Sequence, residues 1–194
     1  MFDVNVVNKL IRDRRSIFPR DYSGEKVDDA IVNQILYNAT WAPNHKMTEP
    51  WSFMVFAGEG LKKLAEFQAD CYRQVSTAKG KFEDDKYEKM LTSPMQSSHI
   101  ISVGMKRDEM KRVPELEEIG AVYCAVENMY LTATAYGVGA YLSTGGITFY
   151  EEAKPFFNLK AEDKLLGFFH IGTIGKQPND SKRQPVERKA IWVR

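Results

Sequence analysis

Apolar residues recur every three or four positions in several long segments of the chain, a spacing typical of amphipathic helices. The predicted helices are residues 3–13, 25–41, 59–75, 115–136 and 149–157. Short runs that are almost wholly apolar, several of them bounded by glycine, predict strands. The predicted strands are residues 51–56, 100–105, 137–146 and 166–172. No repeat and no long linker divides these elements, so the sequence predicts a single domain over residues 1–194 with mixed α and β structure.

The ends and faces of these helices lead to three further expectations. Asp3 can cap the first helix, and Ser23 is a plausible cap for the second although the capping-box spacing is missed. Residues 79–89 mix lysines with acidic residues, which indicates a solvated face or a mobile lid. Residues 121–126 are apolar on all sides of a helix, which favours a position inside a core or against another subunit.

Composition narrows the class of protein without naming a chemistry. The 194 residues are 43% hydrophobic and carry a net charge of +1, so no overall charge favours nucleic acid or a membrane surface. Cys71 and Cys124 lie in apolar segments of predicted helices. We expect both to be reduced core residues of a cytoplasmic protein, although a disulfide is possible in another compartment. The first residues lack the pattern of a signal peptide, and no run approaches the roughly 20 apolar residues of a membrane span.

Several common catalytic motifs are missing. Gly137-Val138-Gly139 begins a dinucleotide-binding motif, but Leu142 stands where the third glycine is needed. Gly175-Lys176 is followed by Gln177, so there is no phosphate-binding P-loop, and there is no G-x-S-x-G motif. The three histidines are not spaced as metal ligands. Metal catalysis and triad hydrolysis are therefore not favoured.

An arginine cluster closes the first predicted helix. Arg12, Arg14, Arg15 and Arg20 surround a single acidic residue, Asp13, next to the hydroxyl of Ser16. Guanidinium groups beside a hydroxyl suit a phosphate, because each fork can contact two oxygens. A basic last turn that interacts with the helix dipole is the alternative and, from these residues alone, the commoner reading.

Three other segments have features of a binding site, and each has a structural alternative. The loop between Trp41 and Trp51 places His45 and Lys46 among prolines, which suits a planar ring or makes a stiff connector whose tryptophans fill the core. The small residues around Tyr141 suit a flat ligand or a tight strand entry. Residues 176–194 contain six basic and two acidic residues, and they either complete a phosphate site or form an exposed tail.

The order of these motifs resembles that of the nitroreductase family of flavoproteins. The motifs are Arg14-Arg15-Ser16, the run Ala-Pro-x-His-Lys-x-x-x-Pro-Trp over 42–51, Gly-x-Gly-Ala-Tyr-Leu-Ser over 137–143, Gly-Phe-Phe-His-Ile-Gly-Thr over 167–173 and Lys182-Arg183-Gln184-Pro185. The resemblance covers residues 10–185, and it is nearest to a small branch of the family whose loop carries Pro-Asn-His-Lys.

The resemblance implies an FMN cofactor and a set of residues that would hold it. The set comprises Arg14, Arg15, Ser16 and Arg183 around the phosphate and ribityl chain, Tyr141, Leu142 and Ser143 along the flavin, and Trp41 and His45 reaching it from a loop, often across a dimer interface. Lys46 is a candidate for stabilising negative charge near N1 of the reduced flavin. Two departures weaken the match: Glu49 replaces the usual glutamine, and Phe18 replaces a basic residue.

The resemblance also implies a fold and an assembly. Family members are α+β proteins with a central, mostly antiparallel sheet flanked by helices, and they form intertwined homodimers with two FMN sites at the interface. Residues 191–193 would then add a strand to the partner's sheet. The apolar helix at 121–136 would be explained by the same interface.

The implied activity is hydride transfer from NAD(P)H through flavin N5 to a nitroaromatic, quinone or enone, by a ping-pong mechanism. No dedicated acid–base residue is expected, because solvent can supply the proton. Residues 79–115 would shape the acceptor's side. Two alternatives remain open: a flavoprotein of the same fold with dehalogenase or desaturase chemistry, and a flavin-binding protein without enzymatic turnover.

Overall fold

The computed structural model describes residues 3–194, which form five α-helices, four strands and several short 3-10 turns. The helices are α1 (Val4–Asp13), α2 (Asp29–Ala39), α3 (Glu59–Ala78), α4 (Asp84–Thr92) and α5 (Glu115–Ala135). The strands are β1 (Trp51–Ala57), β2 (His99–Met105), β3 (Val138–Ser143) and β4 (Lys164–Thr173). None of the described helices is long and apolar enough to cross a membrane.

The strands form one antiparallel sheet in the order β1-β2-β4-β3. Register is illustrated by Ile101 opposite Phe169 and by Tyr141 opposite His170. Side chains alternate between the two faces of a strand, so each strand supplies both layers of the core. The α+β fold with an antiparallel sheet and flanking helices is therefore confirmed.

Two hydrophobic clusters cover the two faces of this sheet. On one face Phe169 packs with residues of α2 and α5, including Met129. On the other face Phe168 packs with α3 residues such as Leu64 and with Phe157 from the segment that follows β3. Phe157 belongs to the 3-10 helix Glu151–Phe157, so the helix predicted at 149–157 is 3-10 rather than α-helical.

Helix α2 begins later than predicted. Its cap is Asp28, whose carboxylate accepts a hydrogen bond from the Ala30 N–H at 2.8 Å, whereas Ser23 lies five residues upstream in extended backbone. The Ser23 N–H donates to the Thr173 carbonyl at 2.9 Å, and Tyr22 forms a β-bridge with Ile174. The Ser23 prediction was wrong because this long-range pairing holds the segment extended. The Asp3 cap is confirmed, with the Asn5 N–H donating to its carboxylate at 2.8 Å.

The charged segment at 79–89 leads into a helix and is not only a solvated stretch. Helix α4 starts at Asp84, and its Tyr87 and Met90 pack against the cluster on the α3 face of the sheet. The lysines and carboxylates of α4 are exposed. Two apolar anchors per two turns are enough to dock a short amphipathic helix.

Helix α5 is not enclosed on all sides. Val122 and Val126 are buried in the core, but Tyr123 and Cys124 are exposed in the protomer. The expectation that Cys124 is a core residue is therefore wrong for the isolated chain, whereas Cys71 is buried. The helix lies on one sheet face beside α1 and α2, and this packing leaves Tyr123 and Cys124 exposed.

Candidate functional site

The Arg-Arg-Ser motif lies along the outer edge of β3. Directly after it, the Ile17 N–H donates to the Ala140 carbonyl at 2.9 Å, which holds the segment beside the strand. The Phe18 ring then packs against Tyr141, with 4.5 Å between ring centroids. Two segments that are 120 residues apart in sequence are thus brought together, as the candidate site requires.

A basic cavity of about 360 Å³ opens at this edge. Its cationic and hydroxyl groups come from Arg15, Ser16, Arg20 and Lys176, and Asp21 is the one carboxylate among its described lining residues. The Arg20 guanidinium lies 4.8 Å from the centroid of the Phe18 ring. Arg20 therefore brings a positive charge to the cavity although residue 18 carries none. Guanidinium, ammonium and hydroxyl donors together form a donor set that fits a phosphate dianion.

Arg14 points away from this cavity toward α5. Its guanidinium carbon lies 5.2 Å from the centroid of the Tyr130 ring, and its Nε lies 3.7 Å from a carboxylate oxygen of Glu127. The structure therefore separates the two consecutive arginines, and only Arg15 lines the basic cavity.

Tyr130 connects the predicted residues, although the sequence did not single it out. Its hydroxyl accepts a hydrogen bond from the Leu142 N–H at 2.6 Å and lies 3.4 Å from the Ser16 hydroxyl. The ring packs edge-on against Phe169, with 4.9 Å between centroids. A buried tyrosine places its hydroxyl where a polar partner exists. The only sign of this role in the sequence is that a tyrosine lies on the apolar helix predicted at 115–136.

A second cavity, of about 420 Å³, lies where β3 ends. We call it the glycine-loop cavity, because Ser143, Gly145 and Gly146 form one wall. Phe168 and His170 of β4 also line it, as do Lys86 and Lys89 of α4. Ser143 is thus the one predicted residue that lines this cavity.

His170 is a neutral group in this cavity at physiological pH. Its Nδ1 lies 3.0 Å from the Ser97 hydroxyl oxygen. Burial lowers the pKa of the His170 imidazole from 6.5 to about 4, because the charged form loses solvation. Neither residue was identified from the sequence, since their pairing depends on how β4 and the turn before β2 come together.

The loop between Trp41 and Trp51 is fixed mainly by polar contacts with the residues around the start of α5. The His45 Nδ1 lies 2.5 Å from a carboxylate oxygen of Glu117, and the Lys46 ammonium donates to the Arg112 carbonyl at 3.0 Å. Lys46, Met47 and Glu49 all have positive φ angles, of 54°, 53° and 44°. Three non-glycine residues in the left-handed backbone conformation indicate a strained loop that its contacts hold in one conformation, rather than a simple connector.

The same loop does not reach the basic cavity of its own protomer. Glu117, beside His45, and Tyr130, beside Ser16, are 13 residues apart on α5. At the rise of an α-helix this separation is about 20 Å. Trp41 is 71% exposed and meets α2 through Tyr37, with 6.1 Å between ring centroids, so it does not fill the core.

Arg183 lies in an extended, exposed tail. Its guanidinium donates to the Ser181 hydroxyl at 3.1 Å and to the Lys182 carbonyl at 3.3 Å. The structure does not bring it to Arg15, so its role at a phosphate stays a prediction. Lys176, earlier in the tail, takes a place in the basic cavity instead.

Comparison with known proteins gives a consistent result. The model of the family described as "Nitroreductase family" matches residues 11–173. The Escherichia coli (strain K12) protein named "Putative NAD(P)H nitroreductase YdjA" is 31% identical over 142 residues, covering 73% of this chain and 75% of that protein. "Putative NAD(P)H nitroreductase YfhC" from Bacillus subtilis (strain 168) is 26% identical over 183 residues, covering 94% and 91%.

Solved structures share the fold. A nitroreductase-like family protein from Bacillus cereus has a TM-score of 0.81 at 26% identity, covering 100% of this chain and 98% of that one. The FMN-dependent nitroreductase NfnB from Mycobacterium smegmatis, solved with NADPH, has a TM-score of 0.73 at 16% identity, covering 98% and 99%.

Proposed function

Because the chain belongs to the nitroreductase family, we propose that it is an FMN-dependent NAD(P)H oxidoreductase that reduces nitroaromatic, quinone or enone acceptors. The observation that carries the proposal is the pair of cavities beside β3, one basic and one lined by the glycine loop. A ligand with a phosphate at one end and a flat ring at the other fits this arrangement, with the phosphate in the basic cavity and the ring along β3, beside a glycine-loop cavity left for the acceptor.

The basic cavity would hold the phosphate of FMN. Arg15 and Arg20 supply two guanidinium groups, Lys176 an ammonium and Ser16 a hydroxyl. Charge-assisted hydrogen bonds of this kind are about twice as strong as neutral ones. Arg14 would act from the α5 side by shaping the seat, since it faces Tyr130.

The ring would lie along Tyr141, Leu142 and Ser143 toward the glycine-loop cavity. FMN held there would supply the hydride-transfer chemistry between the nicotinamide and the acceptor. The chain's own task there is to exclude water and hold the ring flat. Tyr130 supports this by fixing the β3 backbone through its hydrogen bond to the Leu142 N–H.

Trp41, His45 and Lys46 would serve the FMN of a second copy. Their distance from the basic cavity of their own protomer supports this arrangement, and so does the strained backbone that holds the loop in place. We therefore propose a homodimer in which each ring lies between two protomers.

The exposed apolar surfaces support the dimer. Helix α1 has no buried residue although Val7 and Ile11 lie on it, and α5 exposes Tyr123. In the tail, Ile191 and Trp192 are also exposed, which suits the expected strand addition to the partner's sheet. Such an interface should bury more than about 2,000 Å². A protein that sediments as a monomer at micromolar concentration would contradict it.

Absorption spectroscopy tests the function. The purified protein should show the yellow absorption of bound flavin, bleach on anaerobic addition of NADPH or NADH, and recover its colour when a nitroaromatic is added. Colour without bleaching would favour a flavin-binding protein without turnover. Bleaching by nicotinamide with no recovery on nitroaromatics, quinones or enones would favour dehalogenase or desaturase chemistry.

Substitution of the phosphate ligands tests the site. The double variant Arg15→Gln/Arg20→Gln should raise the Kd for FMN about a hundredfold or more, since two charge-assisted hydrogen bonds of roughly 1.5–3 kcal/mol each are lost. Fluorescence titration of FMN into the stripped protein measures this. The control Lys62→Gln/Lys63→Gln removes the same charge from exposed positions of α3. Equal Kd values for the two double variants would refute the assignment.

A further inference from the structure

The glycine-loop cavity carries a pattern of charge that the proposed function does not yet use. We propose that this cavity selects flat aromatic acceptors that bear an anionic group, and that Lys86 and Lys89 attract that group. The inference rests on the proposed function, because it names the substrate class of the same site.

The walls of the cavity suit an aromatic ring. Tyr72 comes from α3, Met90 from α4, and Ile147 and Tyr150 from the segment after the glycine loop, with Phe168 contributed by β4. The cavity volume of about 420 Å³ lies within the range of small-molecule sites. These aromatic and apolar walls favour a planar ligand of modest size, and Gln68, Ser93 and Ser143 add uncharged polar groups.

The charged groups of the cavity have a single sign. Lys86 and Lys89 line it, and no carboxylate does so among the residues that the structure describes. Lys86 also forms an ion pair with Glu83, whereas Lys89 has no ion pair with any of residues 3–194. The Lys79 ammonium adds positive charge nearby, 5.4 Å from the centroid of the Tyr150 ring.

Acidic residues lie near the cavity, but none of the described ones lines it. Glu83 pairs with Lys86 and offsets its charge. Burial, and to a lesser extent the charge of Glu152, raises the pKa of the Tyr150 hydroxyl. Among the described lining residues, Lys89 is therefore the cation without an ion pair that an entering acceptor meets, with Lys86 beside it.

His170 of β4 brings a neutral hydrogen-bonding group to the cavity. The Nδ1 of His170 is engaged by the Ser97 hydroxyl, so Nε2 is the ring atom left for a ligand. A nitro or carbonyl oxygen suits this position better than a carboxylate, since the imidazole there is uncharged. The acceptor would therefore place its reducible group near β4 and its anionic group near α4.

The reaction on such a substrate balances without a further reactant. A nitroarene takes two electrons from NAD(P)H together with two protons, one from the nicotinamide hydride equivalent and one from solvent. One N–O bond breaks, the oxygen leaves as water, and a nitrosoarene and NAD(P)⁺ are formed. The anionic substituent is unchanged, so the lysines act on binding and orientation alone.

A matched pair of acceptors tests the inference. 4-Nitrobenzoate and 4-nitrobenzamide have nearly the same shape and differ in charge. We expect the wild-type holoprotein to have a higher kcat/KM and a lower Kd for the benzoate. In Lys86→Gln/Lys89→Gln the benzoate should lose about threefold to tenfold in both quantities, the size expected for two partly exposed ionic contacts. The benzamide should change by less than about twofold. Lys81→Gln, an exposed lysine outside the cavity, is the control.

The measurements separate this inference from the proposed function. The Kd is measured by calorimetry without nicotinamide, so it reports on the cavity even if no turnover occurs. Absent flavin or absent bleaching by NAD(P)H would overturn the proposed function. Equal values for the two acceptors, an equal loss of both in the double variant, or loss of FMN from that variant would overturn the assignment of the lysines to the acceptor.

Discussion

The buried His170 should make the stability of the protein fall as the pH drops below neutrality. Burial lowers the pKa of its imidazole from 6.5 to about 4 in the folded chain. Between these values the unfolded chain binds a proton that the folded chain does not. The free energy of unfolding therefore decreases as the pH falls through this window, and His170 contributes no such penalty above pH 6.5.

The size of the effect follows from the two pKa values. A pKa difference of about 2.5 corresponds to about 3 kcal/mol once the pH is below 4, at 1.36 kcal/mol for each pKa unit. At pH 5 the unfolded imidazole is almost fully protonated and the folded one is not, and linkage gives about 2 kcal/mol relative to pH 7.5.

Urea unfolding at pH 7.5 and pH 5.0 measures this contribution. The wild type should lose about 2 kcal/mol more between the two pH values than His170→Gln does, since every other titrating group is common to both proteins. Ser97→Ala is the control, because it removes the hydrogen bond to Nδ1 but leaves the ring buried, and burial is the cause of the shift. Parallel pH profiles for the wild type and His170→Gln would refute the reasoning.

Three further substitutions test the packing that positions the site. Glu118→Gln removes the buried carboxylate that pairs with Arg107. It should lower the free energy of unfolding in urea by about 3 kcal/mol, and a loss below about 1 kcal/mol would mean that the pair is solvated. Gly172→Ala would place a Cβ 2.2 Å from the Tyr22 ring, a clash that should cost about 1–3 kcal/mol of stability. Calorimetry should therefore show a Tm lowered by several degrees, and an unchanged Tm would show that the ring moves freely. Tyr130→Phe removes the hydroxyl that accepts a β3 N–H, and it should cost about 1–3 kcal/mol in urea unfolding and weaken FMN binding; unchanged values for both would exclude its structural role.

The secondary structure could be predicted wherever local hydrophobic periodicity decides the conformation. Strands β1, β2 and β4 and helices α3 and α5 are marked by long apolar patterns, and the structure has each of them. The prediction was wrong where long-range pairing overrides the local signal. Ser23 has the chemistry of a helix cap, but its N–H pairs with the end of β4, and nothing near it in sequence indicates that partner.

The candidate site could be predicted in outline but not in its contacts. The residue types of Arg15 and Ser16 suit a phosphate seat, although a basic last helical turn is the commoner reading of them alone, and the structure places both in the basic cavity. The turning of Arg14 toward Tyr130 depends on the position of α1 beside α5, which no local pattern encodes. The place of His170 in the site could not be predicted for the same reason, since its burial follows from the register of β4 against β3.

Strand β3 determines how far apart the two cavities lie. The Ala140 carbonyl accepts the hydrogen bond that holds Ile17 and the neighbouring basic cavity beside β3, and Ser143 lines the glycine-loop cavity. Ser143 is three positions after Ala140 along the strand. At the rise of a strand this is about 10 Å. A paired strand is stiffer than a loop, so the spacing between a phosphate and a ring is set before any ligand binds. The loop that carries His45 is fixed instead to α5, and in the proposed homodimer a second copy of the chain would bring this loop to the FMN site. In the proposed FMN site, one protomer therefore fixes the distance between the phosphate and the ring, and the loop of the second protomer covers the ring. Dissociation of the dimer should then release FMN even though the phosphate seat stays intact.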